Sequence, residues 1–526
     1  DNIYEKSFGP GFGDNDNDIW SYTFNASPNA FPVQYSDGTL SGPSTDSGHN
    51  PWNMLVHSGY REQFWNSAQS LIGLTQDFGK IWEPLEGLTA NIKFSWDAWN
   101  TTLQRRSKSP SFYHARGRDA EGRLMYDDNN NDGEWDPVHT GSESLGYEIG
   151  RQGTMTRYLE GSLNYNRLFG NHRVGALFLY NQKIHTNTQA ADGNAALPYK
   201  NQGLAGRVTY AFRDTYFAEV NMGYNGSENF ARGHRFGFFP AISGGWVISN
   251  EGFFDGARDV VNLLKLRASY GLVGNDNIGA GGRFGYLTQI VDSNGYGFGE
   301  NGSWVNSIKT SVVGTDNLTW EKSYKTNLGL ELGLWDKISL TADFFMETRK
   351  DILISRASIP DFSGFSGMTI YANMGEMDNK GFDANIEYND RFGDFGLRLY
   401  GNISYTNNKI VFQDEAPARY DYMMSTGTQF GEFKGYIAEG LFVDDEQIAH
   451  SPKQFGITPK PGDIKYKDVN GDGEITTADR TMIGNPTPDV TYGITLGVNY
   501  KNWELGIDMM GQGGNQIYRT WDNYNW

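Results

Sequence analysis

Between Thr326 and Glu347 the chain carries two strictly alternating segments joined by a three-residue turn. Leu328, Leu330, Leu332 and Leu334 alternate with Asn327, Gly329, Glu331 and Gly333. After Trp335-Asp336-Lys337 the pattern resumes, with Ile338, Leu340, Ala342, Phe344 and Met346 set against Ser339, Thr341, Asp343 and Glu347. Successive side chains on a strand point to opposite faces, so this is a hairpin with one apolar and one polar face. The same design recurs along the chain. Strands with one face in lipid and one lining water are how a β-barrel crosses an outer membrane.

Composition supports strands over helices. The 526 residues contain 30 Tyr, 32 Phe, 14 Trp and 66 Gly, which suits strands, turns and interfacial aromatic belts. Mean hydropathy is −0.57, and no run of 18 apolar residues provides a transmembrane helix. Barrel strands need only about 9–11 residues, every second one apolar. A net charge of −19 argues against nucleic acid, whose phosphates are neutralised by Lys and Arg. With no cysteine, disulfides, Cys-ligated zinc and Cys nucleophiles are excluded. The opening Asp1-Asn2-Ile3-Tyr4 is not a signal peptide, and Asn523-Tyr524-Asn525-Trp526 follows a strand and an unfinished loop. Both termini read as cuts in a longer polypeptide.

Tight turns are expected near Trp82–Glu86, at Arg167–His172, at Arg213-Asp214, near Glu251–Val261, at Trp335–Lys337, at Asn389–Asp394 and at Lys501-Asn502. They define about seven hairpins and about 14 strands. Long segments rich in Gly, Asn, Asp and aromatics lie between them, at 97–157, 273–322, 349–378 and 408–489. Short turns at one end and long loops at the other match outer-membrane barrels, with the turns periplasmic and the loops extracellular. A soluble propeller or chain of sandwiches is the competing reading, but no 40-residue blade repeat is visible.

One loop has metal-ligand spacing. Asp468, Asn470, Asp472 and Asp479 place oxygen donors at positions 1, 3, 5 and 12, Gly473 sits at 6, and Glu474 at 7 offers a backbone carbonyl. This is the calcium-loop arrangement, in which carboxylates and an amide converge around a sharp glycine turn. Asp at position 12 is closer to dockerin-type loops than to signalling EF-hands, so a structural Ca²⁺ is expected. The alternative is an Asp/Asn/Gly turn that needs no metal. Asp128, Asn130 and Asp132 repeat the first half of the pattern and form a weaker second calcium candidate, because position 12 there is His139. Asp14-Asn15-Asp16-Asn17-Asp18 lacks the glycine and reads as a solvated loop tip.

Catalytic signatures are missing. The 8 histidines form no HExxH, and neither a phosphate-binding loop nor a G-x-S-x-G elbow is present. The chain therefore reads as no enzyme. Glu331, Asp343 and Asp383 are expected to face a wet lumen. Trp20, Trp52, Trp65, Trp99, Trp135 and Trp304 invite a sugar-stacking reading, but most are expected to serve in belts or loop packing.

Several stretches resemble the SusC/RagA family of TonB-dependent outer-membrane transporters of Bacteroidetes. They are Phe239-Pro240-Ala241-Ile242-Ser243-Gly244-Gly245-Trp246, and Leu264-Lys265-Leu266-Arg267-Ala268-Ser269-Tyr270-Gly271 through Asn275. Leu318-Thr319-Trp320-Glu321-Lys322-Ser323, Asn373-Met374-Gly375-Glu376-Met377-Asp378-Asn379-Lys380-Gly381 and Gly435-Tyr436 to Phe442 continue the match. Pro461-Gly462-Asp463 through Arg480 to Ile483-Gly484-Asn485-Pro486 completes it, and together these cover about 240–515. The resemblance implies residues 1–526 to be the barrel portion of a 22-stranded transmembrane barrel around an N-terminal plug. The plug and the last strands are not expected in this chain. It further implies outer-membrane import of oligosaccharides or peptides with TonB-derived energy, under a SusD-like surface lipoprotein. A passive porin, a glycan-binding surface adhesin and a secreted calcium-stabilised binding protein are the competing readings.

Overall fold

The computed structural model describes residues 2–11, 20, 23–24, 26, 31–43, 50–127, 134–190, 193–277, 283–300, 302–365 and 367–518. Among them one sheet of 17 strands dominates. Fifteen strands form its wall in chain order. They are β1 (Asn2–Pro10), β2 (Gly59–Asp77), β3 (Leu88–Ser107), β4 (Glu148–Phe169), β5 (His172–Asn187), β6 (Tyr199–Phe212), β7 (Tyr216–Ser227) and β8 (Phe236–Val247). They continue with β9 (Val261–Asn275), β10 (Glu321–Leu334), β11 (Ile338–Ser355), β12 (Thr369–Phe392), β13 (Phe395–Phe412), β14 (Val490–Tyr500) and β15 (Trp503–Gly513). Every neighbouring pair is antiparallel. The other two strands, Gln289–Phe298 and Ser303–Val313, make a hairpin between β9 and β10 that meets β12 through a short parallel pairing. Among the described residues no pairing joins β15 to β1.

This meander is the wall of a transmembrane antiparallel β-barrel. All seven expected turns fall where the alternating patterns break, at one end of the wall. Trp335 and Asp336 take φ of 53° and 55°, and Arg213 and Asp214 take 54° and 48°, so these turns use left-handed residues that favour a tight return. The strands run further than the alternation suggested. β4 has 22 residues and β12 has 24, against the roughly 10 needed to cross a bilayer. The surplus lies at the loop end and takes residues expected to be loop, such as 97–107 and 369–378. Above the lipid both faces meet water or other loops, so the apolar/polar alternation fades while the backbone ladder continues.

The outer face is apolar and uncovered. Leu328, Phe344 and Met346 are 56%, 59% and 64% exposed, whereas their strand neighbours on the inner face are Asn327, Gly329, Asp343 and Glu347, with Phe345 the one apolar neighbour. Phe344, Phe382 and Tyr405 lie side by side across three strands as tilted rings with centroids 6.2 and 6.0 Å apart. Trp82, Trp246, Trp335 and Trp503 ring the turn end, exposed on the wall's rim, as an interfacial aromatic belt. An apolar face of this extent belongs in lipid.

A buried hydrophobic cluster sits at the loop end, where Phe230, Leu318 and Trp320 pack with Phe239, Leu353 and Tyr371. Asn373 pins the segment before β10 to this region. Its amide donates to the carbonyls of Thr319 and Asp351 at 2.9 and 2.7 Å, and its Oδ1 accepts from the Thr319 N–H at 2.8 Å. Two of the family-like stretches, around Leu318–Trp320 and Asn373, thereby meet in space.

The two-faced wall makes a direct prediction. Leu328→Arg, on the lipid face near mid-strand, should destabilise the folded barrel by about 2–4 kcal/mol. Asn327→Gln on the opposite face should change stability by less than about 0.5 kcal/mol. Denaturant titration in lipid vesicles, read by the heat-modifiable gel shift of folded barrels, separates the two; equal effects would contradict the assignment of faces.

Candidate functional site

The functional surface of such a wall is its inner face, and here cross-strand rows place the charges. Arg267 on β9, Gly329 on β10 and Asp343 on β11 lie in one row. A Cβ at position 329 would sit 2.6 Å from Cγ and Nε of Arg267, so only glycine lets this side chain cross β10. The guanidinium then reaches Asp343 Oδ2 at 2.6 Å, with its Nε 3.2 Å from Glu331 Oε1. Lys265 adds a second cation to Glu331 at 3.1 Å.

The row continues. Asp383 on β12 stands directly opposite Asp343, and facing carboxylates repel. Arg267 compensates one, and Ser404 Oγ donates to Asp383 Oδ1 at 2.5 Å. Glu331, Asp343 and Asp383 thus occupy the polar face, as the alternation required. On the far side of the wall Lys93 pairs with Glu160 at 3.1 Å, and Tyr158 donates to the same carboxylate at 2.7 Å. Thr75, Asn91, Ser162 and Asn164 form a hydrogen-bonded polar patch beside it. Between β5 and β10 the inner wall opens into a cavity of about 670 Å³, lined among others by Glu219, Ser243, Lys265, Arg267, Lys325 and Asn327. The donors and acceptors are numerous and of both signs, which suits a wetted passage.

At the loop end the connections fold on themselves. Asp414, just past β13, accepts from Arg356 Nε at 2.7 Å, Ser358 Oγ at 2.6 Å and the Ala357 and Ser358 N–H groups at 3.0 and 3.3 Å. The Ser358 hydroxyl, with the Arg356 guanidinium and the two N–H groups, holds its carboxyl down at about 2. Arg283 fastens another pair of loops. Its guanidinium lies 3.4 Å from the Tyr199 ring centroid and donates to the Asn194 and Leu197 carbonyls at 2.9 and 2.5 Å.

The long connection between β13 and β14 carries three two-stranded ribbons, Phe433–Gly435 with Thr481–Gly484, Ala438–Leu441 with Ile464–Tyr466, and Lys453–Gln454 with Glu474–Ile475. Tyr436, Phe455 and Tyr466 pack edge to face between them, with centroids 4.9 to 5.7 Å apart. The calcium-like loop belongs to this unit. Asp468 accepts from the Gly471 and Gly473 N–H groups at 2.6 and 2.8 Å. Asn470 and Asp472 bond each other and their own turns. These oxygens keep second lone pairs. Asp479 is different. It is fully buried, and its oxygens take the N–H groups of Val469, Asn470 and Thr476 at 2.9, 3.4 and 2.8 Å. The Glu474 side chain is exposed. The structure therefore gathers Asp468, Asn470 and Asp472 on one turn and sets Asp479 into the loop's own backbone. Among the described residues no three acidic or histidine side chains group as they would around a metal. Asp128, Asn130 and Asp132 lie outside the described residues.

The cations Lys265 and Arg267 and the clasps Asn373 and Asp414 escaped the sequence reading as site residues. A long basic side chain on the wet face of a strand, with glycine on the next strand, was the available signal. Which glycine lies opposite depends on register.

The Asp414 clasp predicts a pH dependence. Its carboxyl titrates at about 2 when folded, against 3.8 ordinarily, so its stabilisation is complete above pH 4 and is lost as pH falls toward 2. Proteolysis of 413–489 should accelerate between pH 4 and 2 under an acid-active protease, and Asp414→Asn should show the faster cleavage already at pH 4. A variant indistinguishable from the natural chain at both values would contradict the clasp.

Comparison with known proteins agrees with this architecture. Residues 4–525 match the family model described as TonB dependent receptor-like, beta-barrel, which extends the likeness well before residue 240. TonB-dependent receptor P3 of Formosa agariphila is 29% identical over 402 residues, covering 69% of this chain and 39% of that protein. TonB-dependent receptor SusC of Bacteroides thetaiotaomicron is 27% identical over 353 residues, covering 64% of this chain and 33% of that protein. The RagAB peptide importer structure in its closed-closed state superimposes with a TM-score of 0.63 at 19% identity, over 93% of this chain and 51% of that one. The chain thus spans about a third to two fifths of these curated relatives.

Proposed function

Because this chain belongs to the TonB-dependent receptor β-barrel family, whose members reside in the outer membrane, we propose that it forms the wall of a SusC-type nutrient importer. The wall's width carries the reading. Eight strands already close around packed side chains, whereas fifteen contiguous strands with a polar inner face enclose a lumen that needs a plug or conducts freely. The proposed cargo is an oligosaccharide or a peptide, admitted beneath a SusD-like surface lipoprotein and moved with TonB-derived energy relayed through a plug domain. The charged inner rows would hold that plug by salt-bridge and hydrogen-bond contacts, and the self-fastened loops would present a fixed rim to the lid. The mechanism is binding and gating, with no covalent intermediate.

Uptake in whole cells tests this. Loss of the gene should abolish growth on one oligosaccharide or peptide class, and a protonophore should stop uptake of that nutrient within minutes. Uptake unaffected by the protonophore would favour a passive porin, and unchanged binding without uptake would favour an adhesin.

A structural calcium ion in the 468–479 loop belongs to the same proposal. Asp468, Asn470 and Asp472 supply oxygens on one turn, the Glu474 carbonyl is the backbone donor of the spacing, and Asp479 would keep the loop closed beneath the ion. Millimolar Ca²⁺ should then slow proteolysis of 433–484 severalfold, and Asp468→Ala should remove the effect. Equal cleavage with Ca²⁺ and with chelator would leave an Asx-turn loop without metal.

A further inference from the structure

Following the hydrogen-bond register strand by strand identifies which aromatic residues share the face of Arg267. Gly271 on β9 pairs with Ala241, which pairs with Asn221 on β7. Asn225, four residues on and so on the same face, pairs with Gly203, then Asn181, then Glu160, then Lys93 on β3. Trp99 lies six residues beyond Lys93 and so points the same way. Its partner is Ser67, and Ser67 pairs with Ile3; in the adjacent row Thr101 pairs with Trp65, and Trp65 with Glu5. Two tryptophans therefore stand diagonally across β2 and β3 on the polar, lumenal face.

That placement is anomalous for indoles. Trp82, Trp246, Trp335 and Trp503 occupy the turn-end rim, and Trp320 is buried in the loop-end cluster. Trp99 is 37% exposed on a face where β2 and β3 carry mostly hydroxyls, amides and charges, with Leu71, Leu103 and Ile3 as its nearby apolar members, and Trp65 is half-buried beside it. Together with Ile3, Glu5 and Ser67 they line an open groove of about 340 Å³, at the small end of the roughly 300–1,000 Å³ usual for ligand clefts. Its depth is fixed too. Trp65 is twelve residues from the turn end of β2 at Asp77. On the outer face at this level Lys6 stacks over Phe8 and Phe64 at 4.5 and 4.9 Å, with Tyr4 beside Phe64. Such a lysine–aromatic patch marks a lipid–water boundary. The groove opens inside the lumen near the extracellular mouth, where cargo arrives.

We propose that Trp65 and Trp99, with Glu5 and Ser67, form a carbohydrate subsite that stacks one or two neutral sugar rings of an oligosaccharide. This rests on the importer reading above and assigns its cargo class. The C–H face of a pyranose is a weakly positive apolar patch that fits the negative face of an indole. Its equatorial hydroxyls donate to a carboxylate such as Glu5 and exchange hydrogen bonds with a serine hydroxyl. Both indoles are carried on hydrogen-bonded strands, so little conformational entropy is lost on binding. The anionic Glu5 disfavours acidic cargo.

The test is calorimetric binding to the natural protein purified in detergent. The probes are six-residue gluco-, xylo-, manno- and fructo-oligosaccharides, with an uncharged decapeptide as the control. One oligosaccharide should bind. Trp65→Ala and Trp99→Ala should each weaken it at least tenfold, and Trp99→Tyr should recover most of the affinity. Trp503→Ala, at the outer rim, should leave affinity unchanged, and all four variants should keep the heat-modifiable gel shift of a folded barrel. Binding within twofold of the natural protein in both alanine variants overturns the subsite. So does a decapeptide that binds and is weakened by the same substitutions, or a panel in which no oligosaccharide binds. Protonophore-sensitive uptake in cells is scored separately, so the subsite can fail while the importer stands.

Discussion

Lipid offers no hydrogen-bond partner to a peptide group, and that constraint governs this molecule. Each N–H and C=O within the hydrocarbon must find another strand, so the membrane part can only be a continuous ladder. Among the described residues, fourteen consecutive antiparallel pairings of fifteen strands in chain order are the result, and every later feature is positioned by them. Since side chains alternate along each strand, satisfying the backbone also sorts the residues, with Leu328, Phe344 and Phe382 outward and Gly329, Asp343 and Asp383 inward.

The inner face then has its own problem, because charges brought together by the ladder must be balanced. Direct neighbours do not suffice, since Asp343 faces Asp383 across one strand pair. The solution spans three strands, with Arg267 lying over the bare backbone at Gly329 to reach Asp343. Glycine within a strand normally weakens it. Here it makes room for an ion pair that would otherwise be two strands too far apart. The same face carries Trp65 and Trp99 toward the loop end of β2 and β3, where the ladder sets two indoles diagonally across one strand pair.

Above the lipid the constraint relaxes and the chain satisfies itself locally. The Asp414 carboxylate takes four donors from 356–358, Asn373 bridges Thr319 to Asp351, and Asp479 closes a calcium-like loop on its own N–H groups. The Asp414 contacts and the Asn373 contact with Thr319 join segments more than fifty residues apart, and the Asp479 contacts close one loop on itself, which is why connections of this length hold a defined shape. The strands also continue upward beyond the bilayer, since nothing in water penalises an extended ladder whose faces have lost their contrast.

The sequence by itself determined the strand type, the seven turns and the two faces of the wall, because period-two alternation and turn chemistry are local. It also identified motif stretches and placed Glu331, Asp343 and Asp383 on the wet side. It could not say that Arg267 reaches Asp343, that Asn373 meets Thr319, or that Trp65 and Trp99 share a lumenal groove, because those depend on register between strands far apart in the chain. Nor could spacing alone show that Asp479 is buried with its oxygens on three N–H groups of its own loop, because that depends on how the surrounding loop folds. Alternation is written residue by residue, whereas register is set only when the strands meet.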